Sequence, residues 1–201
     1  TLGRPGPHVD VRLVDDNDHD VPVGDIGEIA VRAKIPNCIY SGYWNKPEAT
    51  ASAMRDSWHH TGDLATADGG GVLSFVDRKK DSLRRRGENV SSFELESAIS
   101  AFSKVERCAV SAVPSPLGED DIKASIVLKP GLTTTSEELF EYFRTSLPYF
   151  AMPRYIDIRT SLPLTEATAR VQKFALREEG VTPSMWDLEA LGLTVERSQR
   201  R

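Results

Sequence analysis

The stretch Trp58-His59-His60-Thr61-Gly62-Asp63-Leu64 puts two imidazoles and a carboxylate within five residues. That set could hold a metal, move protons or bind a ligand. Adjacent histidines on an extended chain point to opposite faces, so His59 and His60 are poorly placed to share one ion. A structural zinc site wants more cysteine or histidine ligands than a chain with four histidines and two cysteines readily supplies. No metal is expected; one histidine is expected to pack and the other to be solvated. Asp63 is different. Gly62 lets the backbone approach a ligand closely, and a carboxylate beside it can accept two hydrogen bonds at once. A vicinal diol, such as the 2′ and 3′ hydroxyls of a ribose, matches that geometry. An Asp that caps a turn uses the same residues, and local spacing alone favours the turn.

A second candidate is Asp77-Arg78-Lys79-Lys80-Asp81-Ser82-Leu83-Arg84-Arg85-Arg86-Gly87-Glu88-Asn89-Val90. Six cations fall within nine residues, Arg78 to Arg86. Such a run usually forms a solvated face; nuclear targeting or nucleic-acid contact is the weaker reading. It ends in Gly87-Glu88-Asn89, where a glycine suits backbone passing close to a ligand and the arginines suit a phosphorylated one. A third candidate is the polar segment Leu162–Lys173, with Arg170 and Lys173 as its cations. Alone it reads as an ordinary surface loop between a strand and a helix.

The elements that must position these residues change character along the chain. In His8–Val14, Val9, Val11 and Leu13 alternate with polar neighbours, the period of a half-buried strand. Ile29 and Val31 share one face of Glu28–Ala33. Cys38–Trp44 is a third extended stretch. Lys46–Arg55 suits a short helix with Pro47 in its first turn. Thr61-Gly62-Asp63 is expected in a tight loop. Gly69-Gly70-Gly71 turns the chain into a strand over Val72–Asp77. Beyond Arg78, Ser91 and Glu94 form a capping box, with Leu95, Ala98, Ile99 and Phe102 following at helical spacing. Val105–Val113, Ile122–Lys129 and Arg154–Arg159 read as strands. Thr135 and Glu138 form a second box before the apolar stripe of Leu139, Phe140, Phe143 and Leu147, which Pro148 stops. Val171–Glu178 looks helical, and Pro183–Leu191 reads as a last short helix ended by Gly192. The fold class is α+β: a β-rich piece, a basic connector and a mixed α+β piece, with the boundary near Asp77–Asp81.

Composition bounds the function. The 201 residues suffice for one large or two small domains, and 39% hydrophobic content allows packed cores. A formal charge of −5 argues against general nucleic-acid binding. No apolar run approaches membrane-spanning length and no signal peptide opens the chain. Cys38 and Cys108 form no metal-ligand spacing or disulfide framework; they read as core thiols in a reducing compartment, with the cytoplasm as the default location. The opening Thr1-Leu2-Gly3-Arg4-Pro5-Gly6 has no initiator Met and reads like the middle of something.

Taken together, the segments Gly3–Gly6, Gly24–Ile29, Gly42-Tyr43-Trp44 with Pro47–Thr50, Trp58–Leu64, Val76–Asp81, Arg86–Val90, Glu94-Leu95-Glu96 and Leu162–Lys173 resemble, in order and spacing, the C-terminal part of the adenylate-forming acyl-CoA synthetases. That superfamily includes firefly luciferase and peptide-synthetase adenylation domains. The resemblance covers nearly the whole chain. It implies a β-rich subdomain, a distorted small barrel, over residues 1–77 as the last piece of a large N-terminal AMP-binding part. A hinge follows over 78–81, and a mobile C-terminal domain with a small sheet flanked by helices over 82–201. It implies ATP or AMP, coenzyme A and Mg2+ as cofactors, the metal's ligands lying outside this chain, and a carboxylic acid and CoA as partners. Asp63 would hold the ribose hydroxyls, with Thr61 beside it; Arg78 would support the ribose and phosphate region. Lys80 would lie at the hinge between adenylation and thioester formation, and Gly87 on the loop lining the pantetheine passage.

Two departures stand out. The family's Ser/Thr/Gly-rich phosphate loop followed by Lys is absent, as are the acyl pocket and the aromatic-Gly-x-Thr-Glu segment. The chain is therefore expected to be roughly the last two-fifths of an enzyme, inactive alone and at most a weak nucleotide binder. The family's late loop usually ends in Gly-Lys, the Lys being the adenylation catalyst; here Ala169-Arg170 stands there, and the loop is one residue longer. Arg keeps the charge as a planar fork rather than a compact ammonium, so weakened or altered adenylation is expected, with Arg170 partly substituting. Lys173 aligns with a second, helical Lys and ranks below it. The tail Phe174–Glu196, with no carrier-protein segment following, favours a free-standing CoA ligase. The alternatives are an adenylation domain serving a carrier protein and an inactive ligase-like binding or regulatory module.

Overall fold

A computed structural model describes residues 1–115 and 118–195. The chain divides after Lys80 into two compact units.

The first unit is a curled antiparallel half-barrel. Its strands are β1 (Val9–Val14), β2 (Gly27–Ala33), β3 (Met54–Arg55), β4 (Trp58–Ala67) and β5 (Leu73–Arg78), ordered β1-β2-β4-β3 with β5 also paired to β4. The alternation in β1 and β2 works as a register: Val11 lies opposite Val31 and Leu13 opposite Ile29; Val14, Ile29, Ala30 and Ala65 are buried, Ile29 and Ala30 on opposite faces of β2. The helix expected over Lys46–Arg55 is α1 (Pro47–Ala53), shorter because Met54 and Arg55 pair with His59 and Trp58. Cys38–Trp44 forms bends instead of the expected strand. Its backbone is claimed elsewhere: Tyr43 N–H donates to Thr50 Oγ1 at 2.8 Å, and Gly42 packs so tightly on Thr50 that a Cβ would lie 2.7 Å from Thr50 Cγ2. The Gly69–Gly71 turn joins β4 to β5, as expected.

The second unit contains a four-stranded sheet ordered β11-β10-β9-β8, from β8 (Val105–Pro114), β9 (Asp120–Leu128), β10 (Tyr155–Arg159) and β11 (Trp186–Asp187). Strands β9 and β10 run parallel; the other pairs are antiparallel. A separate hairpin comprises β6 (Leu83–Arg85) and β7 (Glu88–Val90). Helices α2 (Ser92–Ser100) and α3 (Ser136–Ser146) begin where the capping boxes put them: Ser91 Oγ accepts from Glu94 N–H and Thr135 Oγ1 from Glu138 N–H, both at 3.2 Å. They pack Leu95, Ile99, Leu139 and Phe143 onto Val110, Ile122, Ile126 and Ile156 of the sheet. Helix α4 (Lys173–Glu179) covers the opposite face, where Leu176 meets Ala109 and Val127. Burying β9 on both faces explains its near-continuous apolar run. The one lysine in it, Lys123, is fully buried and donates to Leu176 O and Gly180 O, closing the C-terminal end of α4.

The helix expected over Pro183–Leu191 is instead turns around β11. Asp187 decides this: its Oδ1 accepts from Glu189 N–H (3.1 Å) and Ala190 N–H (3.3 Å), and its carboxylate pairs with Arg154 at 3.0 Å. Such local capture of backbone N–H groups competes with a helix. Both cysteines are half-buried; Cys108 packs against the core of the second unit. Cys108 contacts Ser100 Oγ and Glu96 O, and burial pushes its thiol up to about 11. No helix among the described residues is long and apolar enough to cross a membrane. The Phe174–Glu196 tail reading extends at Glu196 beyond the described residues.

Candidate functional site

Thr61, Gly62 and Asp63 lie inside β4 at a bulge, not in a free loop. Between Ala30↔His60 and Glu28↔Leu64 the ladder leaves Ile29 opposite Thr61–Asp63. Side chains fill the gap. Thr61 Oγ1 donates to Ile29 O (2.9 Å) and accepts from Asp63 N–H (3.1 Å); Gly62 N–H donates to Glu28 Oε1 (3.0 Å). Gly62 sits at φ +72°, where a glycine carries no steric penalty. On the other side of β4, Asp63 faces Arg78 of β5, whose Nε lies 2.6 Å from Asp63 Oδ1. That oxygen is buried and makes no aligned hydrogen bond among the described residues. The guanidinium compensates its charge, and the Asp63 side chain as a whole stays 28% exposed, so the carboxylate can still accept from hydroxyl groups of a ligand. Thr61, Gly62, Arg78, Lys79 and Lys80 line a cleft of about 370 Å³; three of these, Thr61, Arg78 and Lys80, are sequence-expected site residues, with Asp63 paired to Arg78 beside it.

A buried charge cluster stands behind them. Glu28 is 5% exposed. Its Oε2 accepts from Lys79 Nζ at 2.9 Å, and Lys79 also meets Asp16 at 2.8 Å. Burial pushes the Glu28 carboxyl up, but Lys79 and the Gly62 N–H together outweigh it and hold it below the usual range. Burial likewise pulls Lys79 down, and Asp16 and Glu28 more than offset it. His60 Nδ1 is 2.7 Å from an Arg55 guanidinium nitrogen and 3.6 Å from Glu28. His59 is not solvated as expected. It is half-buried, with Nδ1 3.2 Å from Tyr40 Oη and its ring edge-on to that tyrosine. Burial lowers its pKa. Among the described residues no group of three or more His, Cys, Asp or Glu side chains could hold a metal ion.

In the second unit Arg86 and Gly87 form the two-residue turn of the β6–β7 hairpin, at φ +55° and +80°, the geometry of a type I′ turn. Their N–H groups donate to the Glu119 carboxylate at 2.5 and 3.0 Å. The basic run is not one solvated face. The hairpin alternates, so Leu83 and Arg85 are buried while Arg84 and Arg86 are exposed. Arg85 donates to Met152 O and lies 3.4 Å from Asp121.

The late loop is a small hairpin closed by a Leu164↔Val171 bridge. Thr165 N–H donates to Arg170 O (2.8 Å), Ala169 N–H to Thr165 O (2.9 Å) and Arg170 N–H to Thr165 Oγ1 (3.1 Å). Ala169 is left-handed, at φ +51°. Arg170 is exposed, and its guanidinium pairs with no carboxylate among the described residues. Lys173, at the start of α4, is held: its Nζ is 2.7 Å from both Ser92 Oγ and Glu96 Oε1. Thr61, Asp63, Arg78 and Lys80 thus belong to the first unit, and Gly87, Arg170 and Lys173 to separate elements of the second. Sequence reasoning missed Glu28, Lys79 and Glu119 because their contacts join distant segments.

Residues 94–168 match the AMP-binding enzyme C-terminal domain family. Over 164 residues the chain is 37% identical to the crotonobetaine/carnitine–CoA ligase of Citrobacter koseri, covering 81% of this chain and 32% of that protein. Over 165 residues it is 40% identical to a feruloyl-CoA synthase of an Amycolatopsis species, covering 82% and 33%. Its fold is similar to that of ATP-bound MatB from Rhodopseudomonas palustris, with a TM-score of 0.77, 34% identity, and coverage of 88% of this chain and 35% of that one. The chain spans about a third of the length of the curated relatives it matches. It therefore belongs with the adenylate-forming ligases, matching their C-terminal part, and residues 94–168 are an AMP-binding enzyme C-terminal domain.

Proposed function

We propose that this chain provides the C-terminal part of an ATP-dependent acid–thiol ligase, which activates a carboxylic acid as an acyl-adenylate and passes the acyl group to coenzyme A. The observation that carries the reading is the Asp63–Arg78 pair on the β4 bulge, a part-exposed carboxylate held 2.6 Å from a guanidinium. Asp63 takes the ribose hydroxyls, Thr61 fixes the Asp63 backbone, and Arg78 balances charge near the ribose and phosphates. Lys80 acts in the hinge about which residues 82–201 turn between the two half-reactions. The Gly87 turn lines the pantetheine path, its exposed glycine leaving room for a close ligand. Arg170 offsets charge that builds at the α-phosphate; Lys173, tied to Ser92 and Glu96, serves packing first. Mg2+ enters with the nucleotide phosphates, its ligands lying outside these residues. The chain alone makes no thioester, since its sequence holds no phosphate loop ending in Lys.

The test is Asp63→Ala in the ligase that contains this chain together with a phosphate-loop domain. ATP-dependent thioester formation should fall at least a hundredfold; unchanged turnover would remove Asp63 from nucleotide binding. A second reading, an inactive ligase-like module, is favoured by Ala169-Arg170 in place of Gly-Lys. It predicts no adenylation in the intact protein and no effect of Arg170→Ala. A carrier-protein acceptor would show as transfer to a phosphopantetheinyl protein but not to CoA.

A further inference from the structure

Resting on that ribose role of Asp63, we propose that Glu28 is the positioning residue for the nucleotide-binding pair, setting how well Asp63 and Arg78 read the ribose without touching it. Glu28 grips both strands next to the pair. Its Oε1 accepts from Gly62 N–H at 3.0 Å, one residue before Asp63. Its Oε2 accepts from Lys79 Nζ at 2.9 Å, one residue after Arg78. Lys79 N–H donates to Gly62 O at 2.8 Å, closing a ring through Glu28, Gly62 and Lys79. The ring replaces missing ladder bonds, because the β2–β4 register jumps across the segment that carries Thr61, Gly62 and Asp63. Gly62, with nothing within 4 Å of a would-be Cβ and a left-handed φ, has little else to fix it. A carboxylate accepting one charged and one backbone donor makes stronger, shorter bonds than a neutral acceptor. His60, 3.6 Å from Oε2 and itself held by Arg55, limits where Glu28 can move. Burial pushes the Glu28 carboxyl up, yet Lys79 and Gly62 keep it below the usual range. If Glu28 were only a core ion pair, its loss would weaken the fold and depress every nucleotide's turnover alike.

The discriminating readout is therefore the ribose. In the ligase containing this chain, the ratio of kcat/KM for ATP over 2′-deoxy-ATP should fall about tenfold in Glu28→Gln, the weight of a hydrogen bond to a charged group. It should fall similarly in Lys79→Met, no further in the double variant, and stay within about twofold of wild type in Lys79→Arg. Equal loss on both nucleotides, or an unchanged ratio, would overturn the proposal. If the wild-type ligase does not adenylate or does not discriminate the two nucleotides, the ribose reading of Asp63 falls instead. The positioning role is then read in the 201-residue chain by NMR. Glu28→Gln and Lys79→Met should move the Gly62 amide proton upfield and speed exchange of the Arg78 Nε proton at least tenfold. Unaltered signals in a folded variant would reject it; Lys79→Met serves alone if Glu28→Gln does not fold.

Discussion

Ala169→Gly should stabilise the second unit. Ala169 sits at φ +51°, and a left-handed conformation costs an L-residue about 1–2 kcal/mol that glycine does not bear. The backbone cannot easily escape, because Thr165 and residues 169–171 are stitched by the Leu164↔Val171 bridge and by the 2.8, 2.9 and 3.1 Å bonds around Thr165. Against that relief, glycine gains about 0.4–1 kcal/mol of unfolded-chain entropy. Taking the middle of each range, the net is about 0.8 kcal/mol in favour of glycine. With a urea m-value of about 1.5 kcal/mol/M for a small unit, the midpoint should rise by about 0.5 M. The chain has three tryptophans, and Trp186 alone lies in the second unit. A Trp44→Phe/Trp58→Phe background therefore reports that unit by fluorescence, which matters because two units need not unfold together. A midpoint that falls, or does not move at unchanged m, would refute the claim that Ala169 is strained. The companion Ala169→Val should lower the midpoint, since a β-branched residue tolerates this region least.

Two further outcomes follow from the same geometry. Lys173→Met removes the ammonium that bridges half-buried Glu96 and Ser92, so the Trp186-reported unit should lose about 2 kcal/mol, below the cost of breaking a fully buried pair. A loss under about 0.5 kcal/mol would show that the ammonium contributes nothing to packing. For the first unit, the Glu28 carboxyl lies below its ordinary value when folded, so the unfolded chain binds more protons in that range and stability rises with pH there. The contribution is complete above the ordinary Glu value of about 4.3 and drains away as pH falls through the folded value. The stability gap between wild type and Glu28→Gln, from urea melts followed by amide exchange, should therefore be wide at pH 7 and narrow towards pH 3. A gap that is constant with pH would contradict the charged pairing with Lys79.

What could be read from the sequence was local. Ser91 and Thr135 announce their helices because a cap needs a partner only three residues on, and β1 and β2 reveal themselves by alternation. The Asp63 site was half legible. Gly62 signals either a turn or a bulge, and only the pairing of β4 with both β2 and β5 makes it a bulge. Glu28 was invisible because its partners Gly62 and Lys79 lie 34 and 51 residues away. Arg85 was lost in the basic run for the same reason, its Met152 partner being 67 residues distant. Asp187 misled in the other direction: a residue allowed in a helix captured two local N–H groups and made a turn.

The two cations of the late loop show how far such reading can go. Sequence ranked Arg170 above Lys173 by alignment with a family position, and nothing local distinguished them. The structure supplies a physical contrast. At Arg170 the backbone is fixed and the guanidinium is exposed without a carboxylate among the described residues. Lys173 has its ammonium bound between a hydroxyl and a carboxylate. A group that must meet developing charge on a ligand needs a positioned root and an uncommitted tip. Arg170 meets both conditions. Lys173 would first have to release Glu96, a half-buried carboxylate that also accepts from Val110 N–H at 2.8 Å. The same contrast explains why a costly left-handed Ala169 is informative. The turn keeps its shape without the glycine that would ease it, so the bonds around Thr165, rather than the residue type at 169, hold the root of Arg170 in place.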